Sequence, residues 1–178
     1  MKTSILHQHQ FLQSKLLELV EISNLVEQKD RFFILKFNQW LVECEAKLKE
    51  LRIAEASHFS VYKTELFNVK NTKVRNKQKL LLSKSIEKMK QAQQSLYQLF
   101  LPMDQKITQA EEIIENILVL IESTEEFRKL KDSNFALYVQ NVWNFILKQE
   151  AFQNHANQLK VLISFTDIRL ILGQKLEL

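Results

Sequence analysis

Ile107-Thr-Gln-Ala-Glu-Glu-Ile-Ile-Glu-Asn-Ile-Leu-Val-Leu-Ile121 decides the fold class. Its apolar residues Ile107, Ala110, Ile114, Ile117 and Ile121 recur at steps of 3, 4, 3 and 4. That spacing puts them on one face of an α-helix, with Ile113, Leu118 and Leu120 widening the stripe. A stripe of this kind packs against a neighbouring helix in coiled-coil fashion. The run is too short for an extended coiled coil, so it predicts a bundle.

The same periodicity extends in both directions. Phe11, Leu12, Leu16, Leu19, Val20 and Val26 predict a first helix over about Thr3–Gln28. Asp30 reads as the cap of a second helix, Arg31–Leu51, whose stripe is Phe33, Phe37, Trp40, Leu41, Cys44, Leu48 and Leu51. Ser57 reads as the cap of a third, to about Val69. A fourth carries Leu82, Ile86, Met89, Leu96 and Phe100, and Pro102 ends it or opens the next. Asp132 or Ser133 is expected to cap a helix with Val139, Val142, Trp143 and Ile146. A last helix, about Phe152–Leu172, is expected to close on Gly173 as its C-cap.

The expected architecture is therefore all-α, a multi-helix bundle of six to seven helices with antiparallel neighbours and short loops. The 178 residues suit one helical-bundle domain, or one core domain with residues 125–178 packed as a C-terminal helical extension. Composition agrees. With Gly 1 and Pro 1 the chain lacks the turn residues that a sheet protein needs. Leu, Lys, Gln and Glu, all good helix formers, dominate instead.

Several function classes fall away. One glycine cannot build a phosphate-cradling loop, so no nucleotide cofactor site of the Walker or Rossmann kind is expected, and no other cofactor is implied. Lone Cys44 excludes an intramolecular disulfide, and its place in an apolar stripe between Glu43 and Glu45 reads as core rather than reactive. His7 and His9 lie two apart and point to different helix faces. Glu111, Glu112 and Glu115 have helical carboxylate spacing, but a di-iron site also needs Glu-x-x-His; no metal is expected. Residues 1–10 show no apolar run of a signal peptide, and no apolar stretch is long enough to span a membrane; the expected location is cytoplasmic. Lys-, Asn- and Ile-rich usage suggests an AT-rich bacterial genome.

Charge is uneven. The chain is net +4 with a pI of about 9.1. Between Lys63 and Lys90 nine basic residues face two acidic ones, net +7; from Met103 to Phe127 seven acids face Lys106 alone, net −6. Lys70-Asn-Thr-Lys-Val-Arg-Asn-Lys-Gln-Lys79 holds five cations, no acid and one apolar residue, Val74. Two readings stand side by side. A basic and an acidic helix neutralise each other across a hairpin at Pro102, or Lys70, Lys73, Arg75, Lys77 and Lys79 contact a nucleic-acid backbone. No residue pattern suggests base readout, and no aromatic lies within 70–79 for stacking.

Arg52-Ile-Ala-Glu-Ala-Ser-His58 resembles the arginine–histidine signature of HEPN ribonucleases, which are small helical bundles. The resemblance implies that Arg52 and His58 act on the scissile phosphate of RNA, without metal, in a site shared by two protomers. The family places a polar residue directly after the arginine, where Ile53 stands here. More broadly, the chain looks like small basic helical accessory proteins that accompany bacterial nucleic-acid enzymes. Adjacent bulky pairs such as Phe32–Phe33 and Leu81–Leu82 cannot all face one core, which implies a protein partner or a homo-oligomer. The expectation is a non-enzymatic adaptor or accessory subunit, with the ribonuclease and a pure protein–protein scaffold as alternatives.

Overall fold

The computed structural model describes residues 4–177. They form an all-α protein with eight helices among the described residues: α1 (Ile5–Glu27), α2 (Phe33–Glu50), α3 (Ala56–Asn71), α4 (Lys77–Ile121), α5 (Glu125–Arg128), α6 (Phe135–Lys148), α7 (Gln153–Leu162) and α8 (Phe165–Leu176), with a 3-10 turn at Glu150–Phe152. The expected start of the first helix at Thr3 lies outside the described residues.

Two compact units divide the chain. One is built from residues 10–101, the other from residues 4–9 and 102–177. The first has an aromatic core. The α2 stripe is buried as its spacing requires: Phe33, Phe37, Trp40, Leu41, Cys44 and Leu48 are all closed to solvent. Phe33, Phe37 and Trp40 stack along α2, and Trp40 meets Phe59 of α3. Burying such rings contributes about 2–3 kcal/mol each. Trp40 also donates its indole N–H to the Lys15 carbonyl, 3.1 Å away, tying α1 to α2.

The second unit has an aliphatic core. Ile107, Ala110, Ile114, Ile117 and Ile121 of α4 are buried, joined by Val139, Val142, Trp143 and Ile146 of α6 and by Ile168, Ile171 and Leu172 of α8. Its centre carries one buried carboxylate. Asp167 receives Ser4 Oγ at 2.5 Å, the Ile5 amide at 3.0 Å and Ser164 Oγ at 2.8 Å. Ser164 in turn accepts from the Asp167 amide, so the pair forms a capping box at the start of α8. One side chain thus satisfies donors at the beginnings of α1 and α8.

Four expectations are corrected. Pro102 neither ends nor opens a helix: α4 runs through it. The proline forfeits one bond to the Gln98 carbonyl, but Gln98, Leu101 and Pro102 are all exposed, where water can serve that carbonyl, and the apolar stripes on both sides hold the helix. The hairpin of a basic against an acidic helix therefore does not exist, because residues 77–90 and 103–121 lie on one helix. The last helix is two, α7 and α8, because the Ser164–Asp167 box starts a new one. Gly173 consequently lies inside α8, buried, with ordinary rather than left-handed φ, rather than closing it.

Caps also shift. Asp30 accepts from Phe32 N at 2.7 Å ahead of α2, Ser57 Oγ donates to the Ala54 carbonyl instead of capping α3, and Asn134 caps α6 where Asp132 or Ser133 was expected. Asp132 supports that turn from one step back, accepting from Asn134 N at 2.9 Å.

Candidate nucleic-acid interface

Lys70 sits in the last turn of α3, which ends because Thr72 turns extended (φ −72°, ψ 149°) while its hydroxyl donates to the Val69 carbonyl at 2.8 Å. Residues 72–76 form the link, and α4 begins at Lys77. The expected polar break is thus five residues long, and Lys70, Lys77 and Lys79 belong to its flanking helix ends. Every residue from Lys70 to Leu80 is exposed.

Of the nine cations of 63–90, three have carboxylate partners, five surround the 72–76 link, and Lys90 is exposed further along α4. Lys63 binds Glu45 at 2.5 Å, Lys84 binds Glu87 at 2.7 Å and Lys88 binds Glu65 at 2.6 Å. Lys88 is buried and also lies over the Tyr62 ring, 5.6 Å from its centroid. Glu45 is buried too. Hydrogen bonds from Lys49, Lys63 and Ser60 pull its carboxyl from the ordinary range down to about 2. Lys15 on α1 belongs to the same internal class: burial works against its charge, but hydrogen bonds to Glu18 and Glu43 outweigh it and raise its pKa. These lysines are consumed by the fold.

Lys70, Lys73, Arg75, Lys77 and Lys79 form no ion pair among the described residues. Two of them stand against the local field. The first turn of α4 holds Lys77 and Lys79 and no acid, although the amino end of a helix favours negative charge. Each such cation costs about 0.3–1 kcal/mol at low salt, and an anion bound there relieves that cost. Lys70 has the opposite placement, at a helix carboxyl end, where its charge is favourable.

Arg52 and His58 are both exposed. Arg52 takes a left-handed conformation (φ 58°) just after α2. Its amide donates to Lys49 O and the Ile53 amide to Leu48 O, the Schellman pattern that ends a helix. His58 lies in the first turn of α3. Neither side chain makes a hydrogen bond or ion pair among the described residues. Cys44 is fully buried; burial foremost pushes its thiol pKa up, away from nucleophilic use. His9 binds Asp104 at 2.9 Å and Glu115 binds Lys175, while His7 is exposed. Among the described residues no three His, Cys, Asp or Glu side chains gather to hold an ion.

One feature escaped the sequence reading. Exposed Leu35 and Val42 of α2 and exposed Phe67 of α3 line an open groove of about 670 Å³, edged by Arg31, Lys63 and Lys70. The signal was present: Leu35, Val42 and Phe67 are apolar residues off the buried stripes of their helices.

Set against protein-family models, curated proteins and solved structures, the chain matches none. Among the described residues no helix is long and apolar enough to cross a membrane.

Proposed function

We propose that this chain is a non-enzymatic, cytoplasmic accessory subunit that self-associates within a larger assembly and contacts a nucleic-acid backbone through Lys70, Lys73, Arg75, Lys77 and Lys79. The observation that carries this reading is the division of the cations. Half-buried Lys63 and buried Lys88 have carboxylate partners, whereas the five around the 72–76 link are exposed and have none among the described residues. A fold gains nothing from five unpaired like charges within ten residues, two of them opposed to a helix dipole. Phosphates supply the missing anions, and binding releases their condensed counterions. The contact positions the protein without reading bases, since lysines meet phosphates as point charges.

The test is fluorescence anisotropy with labelled duplex and single-stranded oligonucleotides over a salt series. If all five cations engage phosphates of a duplex, log K falls against log salt with a slope of about −4.5. Replacing positions 70, 73, 75, 77 and 79 with glutamine abolishes most of that slope. Unchanged affinity in the five-fold variant removes the proposal. Cleavage of RNA by the purified chain, lost in His58→Ala, replaces the accessory-subunit reading with the HEPN-like one.

A further inference from the structure

The α2–α3 groove has the dimensions and chemistry of a helix-binding site. Its α2 wall runs Leu35, Asn38, Val42, with Arg31 in the turn just before that helix, and its α3 wall runs Lys63, Phe67, Lys70. From Leu35 to Val42 on α2, and from Lys63 to Lys70 on α3, is about 10 Å at 1.5 Å per residue, two turns of a guest helix. The floor is apolar and wet: Leu35 is 55% exposed and Phe67 63% exposed. The edge is basic, with Arg31 and Lys70 free of any carboxylate among the described residues; Arg31 lies over the Phe32 ring, 4.8 Å from its centroid. The occupant is therefore an amphipathic helix with two or three adjacent apolar residues and acidic flanks.

The chain itself displays one. In the last turns of α4, Val119 is 72% exposed and Leu120 63% exposed, the largest apolar exposure on that helix. Glu112, Glu115 and Glu122 share Val119's side of the helix and are exposed, Glu115 being paired with Lys175, while Leu120 stands one residue further round the helix. From Glu112 to Glu122 is about 15 Å, long enough to span both walls of the groove. This helix end belongs to the net −6 region, and the groove opens into the net +7 region.

We infer that the groove of one copy receives the Val119–Leu120 helix end of a second copy. This rests on the self-associating part of the proposed function and shares only Lys70 with the proposed nucleic-acid contact. The contact is heterologous, since two different surfaces meet, so each copy keeps one unused groove and one unused helix end. Such pairing grows beyond a dimer unless it closes into a ring. Val119 and Leu120 supply the apolar contact; Glu112 and Glu122 against Arg31 and Lys70 set orientation and salt sensitivity.

Analytical ultracentrifugation of two variants and their mixture tests this. One is groove-blocked, Leu35→Ser with Phe67→Ser; the other is end-blocked, Val119→Ser with Leu120→Ser. All four positions are at least half exposed, and circular dichroism confirms that helicity is kept. The unmodified full chain is expected to climb past twice 21.2 kDa as concentration rises, and to fall back at high salt. Each variant alone stays monomeric. Their equimolar mixture forms a one-to-one heterodimer and stops there, because only one intact groove and one intact helix end remain. Arg31→Glu with Lys70→Glu weakens assembly of the unmodified partner at least tenfold, and Glu112→Lys with Glu122→Lys restores it. An unmodified chain that stays monomeric at every concentration overturns self-association and this interface together. Assembly that survives in both single-surface variants, or a mixture that does not pair, overturns the interface alone.

Discussion

Replacing Asp167 with alanine removes the one side chain that serves two helix starts. The carboxylate is fully buried. One oxygen accepts from Ser4 Oγ; the other accepts from the Ile5 amide and from Ser164 Oγ, with the Ser164 amide 3.4 Å away. Losing an N-terminal acceptor costs about 1 kcal/mol for each helix it caps. Leaving the buried Ser164 amide and the part-buried Ile5 amide without partners adds about 1–3 kcal/mol, less the relief from no longer burying a charge. Asp167→Ala is therefore expected to destabilise the unit formed by residues 4–9 and 102–177 by about 3 kcal/mol. Ser164→Ala loses only its own part of the capping box, about 1 kcal/mol. Asp167→Asn keeps one acceptor and the shape, and falls between them. Urea unfolding followed by circular dichroism gives the three values, and hydrogen exchange at the Ile5 amide reports the α1 end directly. An Asp167→Ala protein within 1 kcal/mol of the parent, with Ile5 still protected, would show that the carboxylate does not join the two helix starts.

Two further outcomes follow from the same reasoning. Glu45, held at about 2 by Lys49, Lys63 and Ser60, has a folded-state pKa below its unfolded one, so its contribution is fully present above pH 4.5 and is lost as pH falls toward 2. Urea midpoints measured between pH 6 and pH 2 should drop across that window, and Glu45→Gln should flatten the drop; an identical slope in the variant excludes Glu45 as its source. Gly173→Ala is expected to stabilise by about 0.5–1 kcal/mol, because a methyl there meets Phe135 and Val139 at an ordinary 3.6 Å and the position is helical. A lowered melting temperature would instead mean that this residue ends the helix.

What the sequence made legible was whatever periodicity controls. Ile107, Ala110, Ile114, Ile117 and Ile121 and the Phe33–Leu48 stripe are buried residue for residue, because a helical face repeating at 3.6 has one way to hide, whereas Leu120, expected to widen the first stripe, is exposed. Ends were harder. Asp30, Asp132 and Asn134 all have side chains that can accept from nearby amides, and only the local turn decides which one caps. Pro102 misled because a proline's cost, one bond and a clash, is smaller than the packing of two long apolar stripes on either side. The first helix was read with Val20 inside, yet Val20 is exposed, while Lys15 and Gln8 are buried. Pattern reading discounts a lysine, whose stem buries well once Glu18 and Glu43 meet its amine. The α2–α3 groove was invisible for a different reason: it is made by residues left over from two core stripes, and only the pairing of the two helices brings those leftovers together.

Arg52 and the five link cations are separated by whether the fold can account for them. Arg52 occupies the left-handed position that ends α2, and Lys29 (φ 54°) occupies the equivalent position after α1, with Asp30 N bonded to Leu25 O and Lys29 N to Val26 O. Glycine is the usual residue there, and non-glycine residues bear about 1–2 kcal/mol of strain in that conformation. A chain with a single glycine, spent inside α8, ends both helices with a cation, whose charge at least suits the negative end of the helix dipole. Arg52 thus has a backbone role that Lys29 repeats far from any histidine partner in sequence. No comparable account covers Lys73, Arg75, Lys77 and Lys79. They bury nothing and pair with no carboxylate among the described residues, and two of them oppose the dipole of the helix they begin. Charges that the folded chain neither uses nor neutralises are the ones an external anion can stabilise, which is why the proposed nucleic-acid contact is placed on the 70–79 segment rather than on the Arg52–His58 pair.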